Sequence, residues 1–353
     1  MVPGLPVWEI IISIHLQKII KSHQGWTRRE FLLSTFTAGV FALSGGFWLR
    51  RWNRRISKAE VFVSRTAEYH TDIASVIISG MRELGVTPKE IKGKKILLKP
   101  NLVEVQANTI HINTHPLIVR GAAEAFLSLG ADRVIVAEGT GHCRDTLRTL
   151  EESGMADVLL EDRIPFVDLN CDDVYNVRNK GRYSPLKTLT FPVALAQADW
   201  IVSMPKLKTH HWAGVTLSMK NMFGVMPGRF YGWPKNVLHQ AGINQCILDI
   251  NTTLQSHFAI ADGIVGMEGD GPIMGSPKQA GVLVMGRNFV AVDATCTRIM
   301  GLNPKKVPYL QAASDRLGPI QEKGIFQFGE TIDSVRTNFA LIDKIPAHKR
   351  LRI

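Results

Sequence analysis

Short apolar runs alternate with amphipathic segments along residues 59–345, and this alternation is the main structural signal of the chain. Short continuous apolar runs predict buried strands, whereas apolar residues spaced three or four apart predict helices. Strands are expected at residues 61–63, 96–98, 133–137, 165–168, 200–203, 258–261 and 281–284, and helices at residues 73–84, 116–129, 144–153, 244–254 and 290–300. Such alternation is typical of a parallel sheet covered by helices.

The pattern is interrupted at residues 171–190, where charged and turn residues replace the apolar runs. This segment is either the boundary between two lobes or a small hairpin. We therefore expect an α/β fold of two Rossmann-like lobes with mainly parallel sheets and a cleft between them. The predicted division is an N-terminal extension at 1–58, the α/β domain at 59–345 and a tail at 346–353.

The N-terminal region carries an export signal and a candidate membrane anchor. Residues 27–33 read Thr-Arg-Arg-Glu-Phe-Leu-Leu, which matches a twin-arginine signal, and an apolar run follows at residues 31–49. That run approaches the roughly 20 residues needed to span a bilayer. Arginines follow it and an Ala-x-Ala cleavage site does not. We expect passage through the twin-arginine translocase, a retained anchor, and a folded domain on the extracytoplasmic (periplasmic) side.

Composition and charge narrow the function classes. The 353 residues are 45% hydrophobic, which is enough for one large domain or two joined lobes. The formal charge is +11, but residues 1–58 carry nine Lys and Arg against two acidic residues, so about +4 remains for the rest. The basicity thus belongs mainly to the export region, and we expect no nucleic-acid partner.

The four cysteines, Cys143, Cys171, Cys246 and Cys296, are dispersed without a Cys-x-x-Cys pair. The spacing of the cysteines therefore contains neither a zinc-ribbon motif nor a local iron–sulfur motif.

The most informative segment for function is residues 198–228. An apolar strand there is followed by Lys206, Lys208, His210 and His211, and then by Lys220-Asn221. In open α/β sheets the loops after strands hold the ligand, so Pro205 should end the strand and place these side chains in a ligand-binding loop. They predict an anionic ligand or a proton-transfer site; the alternative is a solvated basic loop.

Two other strand ends carry candidate ligand-binding residues. Lys99 and Asn101 flank a proline that cannot continue a strand, and Glu138 with Gly139 and Gly141 ends the next one. An anion contact is expected for the first group. The Glu138 carboxylate either binds a ribose hydroxyl or only caps its turn.

A third group consists of carboxylates in a glycine-rich stretch. Asp262, Glu268 and Asp270 follow a predicted strand, and carboxylates in such a position hold a metal or accept a substrate hydroxyl. The alternative is that the aspartates cap turns.

Histidines near neutrality transfer protons, and His142, His210 or His211, and His239 are the candidates. Histidines on opposite sides of a substrate carbon would suit racemisation, epimerisation or a hydride-coupled oxidation. Lys220 is the candidate covalent anchor, provided that its amine is desolvated.

Five blocks in order resemble the prokaryotic family named domain of unknown function 362. They are Lys99-Pro100-Asn101, Ala137-Glu138-Gly139, residues 204–210, residues 220–224 and residues 261–268. Some relatives add a cysteine-rich ferredoxin-like module, which this chain lacks. The resemblance covers most of residues 60–300 and by itself implies no activity.

The chain also resembles nickel-dependent lactate racemase, whose nickel-pincer nucleotide is attached to a lysine and flanked by histidines. The similar stretches are residues 141–144, residues 210–214, Lys220, Pro227-Gly228 and His239. Ser218-Met219 stands where the racemase has glycines, which puts the lysine adduct in question.

These patterns together predict an enzyme, racemase-like or redox, that uses a metal or a nickel-pincer-like nucleotide and acts on a small anionic substrate. The alternative is a non-catalytic protein that binds or assembles a metal, nucleotide or redox cofactor at the outer face of the membrane.

Overall fold

Ten strands form one sheet in the computed structural model, which describes residues 58–104, 109–142, 145–314 and 316–352. The expected twin-arginine signal and anchor lie outside these residues. The strands are β1 Ala59–Arg65, β2 Lys95–Pro100, β3 Arg133–Glu138, β4 Phe166–Asp168, β5 Val174–Arg178, β6 Thr188–Pro192, β7 Trp200–Met204, β8 Lys206–His210, β9 Gly214–Thr216, β10 Phe258–Glu268, β11 Ser276–Gly286 and β12 Ile325–Gly329.

The sheet has a parallel centre and a mixed edge. Its order is β12-β1-β11-β10-β7-β2-β3-β4, with β10, β7, β2, β3 and β4 parallel to one another. Strand β11 is antiparallel to both β10 and β1. Strand β8 lies beside β10 and pairs with β9. The expected mixed α/β fold with a mainly parallel central sheet is thus present.

Helices connect the strands. They are α1 Ile73–Glu83, α2 Pro88–Ile91, α3 Pro116–Ser128, α4 Thr146–Glu152, α5 Met155–Glu161, α6 Val193–Gln197, α7 Ser218–Asn221, α8 Gly228–Tyr231, α9 Asn236–Gln240, α10 Ile243–Thr253, α11 Phe289–Ile299, α12 Pro308–Ala313 and α13 Ile332–Val335. Short 3₁₀ turns lie at Met222–Val225, Pro304–Lys306, Glu322–Gly324 and Pro346–His348. Within the described part of the chain, no helix is both long enough and apolar enough to cross a bilayer.

Both faces of the central strands are buried, which explains why they are continuously apolar. Along β2, Leu97 joins one core cluster, while Ile96 and Leu98 join the other. Successive strand residues point to opposite faces, so each face needs its own cover. Helices α1 and α3 contribute apolar residues to the cluster of Ile96, and α10 and α11 contribute to the cluster of Leu97.

The structure differs from one expectation about the architecture and agrees with one of two alternatives for residues 171–190. The described strands join one large sheet and a separate two-stranded one instead of two lobes, because β10 and β11 are each eleven residues long and link β7 to β1. The segment 171–190 forms the hairpin alternative, with β5 antiparallel to β6.

The residues after Pro205 are a strand instead of a loop. Pro205 does end β7, but the long β10 continues past that point, and Lys206 of β8 pairs with Asp262 of β10. All five residues of β8 are buried. Asp262 consequently lies inside β10 and not after its end.

Candidate functional site

A cavity of about 440 Å³ opens at the carboxyl ends of β2 and β3, where open parallel sheets place their ligands. Its volume is within the usual range of small-molecule sites. Helices α7 and α9 and the segment around residues 270–274 complete the wall. Most of the candidates converge there: Lys99, Asn101, Glu138, Gly139, Gly141, His142, His210, His211, Lys220, Asn221, His239 and Asp270 line the cavity.

The base of the cavity is a buried ion pair between two neighbouring strands. Lys99 at the end of β2 donates from Nζ to Glu138 at the end of β3 over 2.6 Å, and both side chains are at most 2% exposed. Glu138 also accepts hydrogen bonds from the backbone amides of Leu102 and Gly139. These contacts agree with the alternative that Glu138 caps its turn, and the ribose contact stays a prediction.

Asn221 ties this pair to the rest of the floor. Its Oδ1 accepts from Lys99 Nζ at 3.1 Å and from Asn101 Nδ2 at 3.2 Å. Its Nδ2 donates to Lys99 O and to Ser203 Oγ. This arrangement leaves Asn101 Oδ1 buried without a hydrogen-bond partner among the described residues, and Thr216 Oγ1 on the same cavity is in the same state. Buried polar atoms are rarely left unpaired, so both atoms indicate a place for a ligand.

Helix α7 is anchored by a carboxylate from behind. Fully buried Asp293 accepts from the amides of Ser218 at 2.7 Å and Met219 at 3.0 Å. Burial raises the pKa of Asp293 to about 7, opposed by these hydrogen bonds. These two amides fix the turn that presents Lys220.

Lys220 is a strongly perturbed amine on the cavity wall. Loss of hydration, helped by the positive charge of Lys99 and opposed by Glu138, lowers its pKa to about 7. Its Nζ lies 4.1 Å from the centroid of the Phe223 ring. In the described part of the chain, no carboxylate forms an ion pair with Lys220. A substantial fraction of this amine is therefore neutral and nucleophilic near pH 7.

Two histidines on the cavity are held in opposite tautomers. His210 Nδ1 accepts from the amides of Trp212 at 3.0 Å and Ala213 at 3.3 Å, so the neutral ring carries its proton on Nε2. His239 Nδ1 lies 3.0 Å from Lys235 O, which only accepts, so the neutral ring has its lone pair on Nε2. Burial, together with the charge of Lys220, lowers the pKa of both rings. At neutral pH the His210 ring can therefore donate a hydrogen bond from Nε2, and the His239 ring can accept a proton on Nε2.

The other two histidine candidates lie nearer the mouth. His211 contacts Asp270 at 3.2 Å, and His142 contacts Glu104 while remaining 60% exposed. Asp270 is the only expected metal ligand that reaches the cavity lining.

Four candidates lie elsewhere. Asp262 pairs with Lys206 at 2.7 Å, both completely buried, and it also accepts from Tyr69 and the His115 amide. Glu268 binds the Ala340 amide and faces Lys278. Lys208 donates to Pro272 O. The Lys206–Asp262 pair therefore joins β8 to β10, whereas Lys208 and Glu268 are held by contacts outside these two strands.

The expected metal group of Asp262, Glu268 and Asp270 is not assembled, because these residues are spread along β10 and beyond its end. Among the residues that the structure describes, no three His, Cys, Asp or Glu side chains come together as metal ligands.

Lys235 is a cavity residue that the sequence analysis missed. It is 2% exposed, its backbone has a φ of +65°, and its Nζ donates to Asn170 Oδ1 at 2.5 Å. Burial lowers its pKa to about 7. The sequence signal was weak, since Lys235 follows Trp233-Pro234 in a short turn without a strand before it.

Comparison with known proteins identifies the family. The family model described as domain of unknown function 362 matches residues 96–298. The chain belongs to this family. A thylakoid-associated protein of Synechocystis sp. is 28% identical to it over 236 residues, which cover 64% of this chain and 68% of the relative.

Two solved structures show a more distant similarity. The lactate racemase apoprotein of Thermoanaerobacterium thermosaccharolyticum is 15% identical, with a TM-score of 0.41 over 70% of this chain and 58% of that chain. A Thermotoga maritima protein is 13% identical, with a TM-score of 0.40 over 66% of this chain and 59% of that chain. The chain thus spans less than two thirds of either structure.

Proposed function

We propose that this family member is a cofactor-dependent enzyme that moves a proton or a hydride at a carbon atom of a small anionic substrate. The racemase-like or redox reaction would take place in the cavity around Lys220. The observation that carries the proposal is that one cavity is lined by an amine with a pKa near 7 and by two histidines in opposite tautomers.

The preference for an anion follows from the charges at the cavity. Lys220 and Lys235 lack carboxylate partners among the described residues, whereas the Lys99 charge is compensated by Glu138. An anion entering the cavity would favour the protonated form of both amines and gain two charge-assisted contacts. Thr216 Oγ1 can donate a hydrogen bond to one of its oxygens, and Asn101 Oδ1 can accept one from a substrate hydroxyl.

Proton transfer is assigned to His239. Its Nε2 would take the proton from the substrate carbon and, as an imidazolium, return it, while His210 Nε2–H would donate a hydrogen bond to the substrate oxygen on which negative charge develops. The His239 ring is then neutral again at the end of the turnover. His142 and His239 line the same cavity, an arrangement that favours an enzyme over an open carrier groove.

The cavity also fits a covalently held cofactor. A neutral amine at Lys220 and the unpartnered oxygens of Asn101 and Thr216 are suited to a nucleotide-like group, and His210 and His239 would flank it. When bound, such a nickel-pincer-like group would supply a hydride acceptor at the substrate carbon.

The competing function is a non-catalytic protein that binds or assembles a cofactor. The observation in its favour is the exposed mouth of the cavity, where Trp212 is 56% and Met274 76% exposed, as release of a cargo would require.

A pair of variants tests the proposal. Lys220→Ala removes the anchor, and Lys89→Ala removes an exposed lysine that does not line the cavity. In protein purified from its native host, we expect added mass on the Lys220 peptide, or a stoichiometric metal, in the wild type and in Lys89→Ala but not in Lys220→Ala. Equal ligand content in all three proteins would refute the role of Lys220. If the wild-type protein is unmodified and free of metal, the remaining explanations are the non-catalytic binding function and an enzyme with a dissociable cofactor.

Export is part of the proposal. The twin-arginine motif and the apolar run at residues 31–49 support a membrane-anchored protein whose domain faces outward. Replacing Arg28 and Arg29 by Lys should abolish protease accessibility of the domain in spheroplasts, and unchanged accessibility would refute this route.

A further inference from the structure

The mouth of the cavity is apolar although its floor is charged. Trp212 and Met274 line the cavity and are 56% and 76% exposed, and half-buried Ile273 lies between Met274 and Pro272 on the same wall. Exposed large apolar side chains that cluster at a concave site mark a binding surface more often than a neutral part of the exterior.

This apolar rim is held as a unit by hydrogen bonds. The His211 amide donates to Gly271 O at 3.0 Å, and the His211 ring contacts Asp270. These contacts join the turn that carries Trp212 to the segment that carries Met274. The His111 ring bonds Gly275 O at 3.2 Å, which brings the neighbouring Ile110, 49% exposed, to the same segment.

An aromatic wall connects the rim to the floor. The Trp212 ring lies 5.1 Å from the His239 ring, which lies 5.3 Å from the Phe223 ring. Phe223 is 4% exposed and its face is covered by the Lys220 amine at 4.1 Å. The surface therefore changes from exposed and apolar to buried and cationic along one continuous path.

We propose that the substrate is an anionic amphiphile whose charged head lies at Lys220 and Lys235 and whose hydrocarbon chain leaves along Phe223 and Trp212 to Ile273 and Met274. This inference rests on the proposed function, since it assigns the substrate class of the same cavity. A compact hydrophilic anion would contact the charged floor of the cavity and would make no contact with the apolar rim.

The test is the chain-length dependence of binding. The probes are the n-alkanoates from acetate to octanoate, whose charge is constant at pH 7, titrated calorimetrically into the full-length chain in lipid nanodiscs with empty nanodiscs as the blank. Each methylene that reaches the apolar wall should tighten binding about twofold to fourfold. The gain should stop once the chain extends beyond Met274.

Matched variants locate the effect. Trp212→Ser with Met274→Ser should flatten the chain-length series. Leu127→Ser with Leu160→Ser removes two exposed apolar residues that do not line the cavity and should leave the series as in the wild type. A flat series in the wild type, or equal series in both double variants, would overturn the inference.

The source of the amphiphile can be separated in the same system. Competition of octanoate with phosphatidylglycerol in the nanodisc, but not with phosphatidylcholine, would assign the site to an anionic membrane lipid. Octanoate binding that is insensitive to the lipid would assign it to a free amphiphile. Failure of acetate to bind at all, or acetate binding that survives Lys220→Ala, would contradict the anion site of the proposed function and not only its apolar extension.

Discussion

The titration of Lys220 is the sharpest consequence of the site geometry. An ordinary lysine has a pKa of about 10.4, so only about one amine in 2,500 is neutral at pH 7. Desolvation beside Lys99 lowers the pKa of Lys220 to about 7, so about half of this amine is neutral at that pH. The free-base fraction is thus roughly a thousand times that of an ordinary lysine.

Competitive labelling measures this directly. A trace of 2,4-dinitrofluorobenzene is added to the protein between pH 5.5 and 10, with N-acetyl-lysine amide as the reference in the same tube, and peptide mass spectrometry follows the label. We expect labelling of Lys220 to rise with an inflection near pH 7 and then to level off, while the reference rises until about pH 10.

The inflection decides the question, because it does not depend on the intrinsic reactivity of the amine. Labelling of Lys220 that follows the reference up to pH 10 would refute the desolvation argument. Replacing Lys99 by Met removes a repelling charge, and the inflection of Lys220 should then move to higher pH. A shift in the opposite direction would contradict the assigned cause.

Three further predictions concern the support of the site. Lys99→Met leaves the Glu138 carboxylate buried without its cation and should lower the free energy of unfolding by about 3–5 kcal/mol in urea titrations; an unchanged midpoint would refute the pairing. Gly224→Ala places a Cβ 2.8 Å from Lys99 Nζ and should lower the free energy of unfolding by about 1–3 kcal/mol. Gly141→Ala, whose Cβ would have no atom within 4 Å, should lower it by less. Equal losses in the two variants would contradict the packing around Gly224. The pKa of Asp293 is raised to about 7, so its contribution to stability is complete below pH 4 and is lost as the pH rises through 7. Asp293→Asn should remove up to about 2.5 kcal/mol of the stability difference between pH 5 and pH 8, measured by unfolding at both pH values.

The sequence predicted the central strands and helices well because each has a single dominant pattern. Residues 73–84 and 116–129 were expected to be helical, and the helices span Ile73–Glu83 and Pro116–Ser128. Strands β2 and β7 were recognisable because they are buried on both faces and contain continuous apolar residues.

Strand β8 escaped prediction because two of its five residues are lysines. Its sequence, Lys-Leu-Lys-Thr-His, has the composition of an exposed loop. The lysines are tolerated in a buried strand only because Asp262 and Pro272 O compensate them, and these partners lie more than 50 residues away in the sequence. Such long-range compensation leaves no local pattern.

The candidate site was predicted in outline from the strand ends, since lysines, histidines and an asparagine followed them in order. The sequence could not distinguish Lys220, which faces the cavity, from Lys206, which is internally paired. Nor could it find Lys235 or Thr216, because both reach the cavity only through the folding of the chain.

Proton-linked anion binding tests the central claim most directly. A short 2-hydroxy carboxylate, 2-hydroxybutanoate, is titrated at pH 8 into protein whose Lys220 peptide carries no added mass, in two buffers of different ionisation enthalpy. If the anion binds at Lys220, up to about 0.9 proton is taken up per anion by that amine, and both binding and uptake are lost in Lys220→Met. Absence of binding would contradict the account. So would binding without proton uptake whose affinity is the same in the wild type and in Lys220→Met.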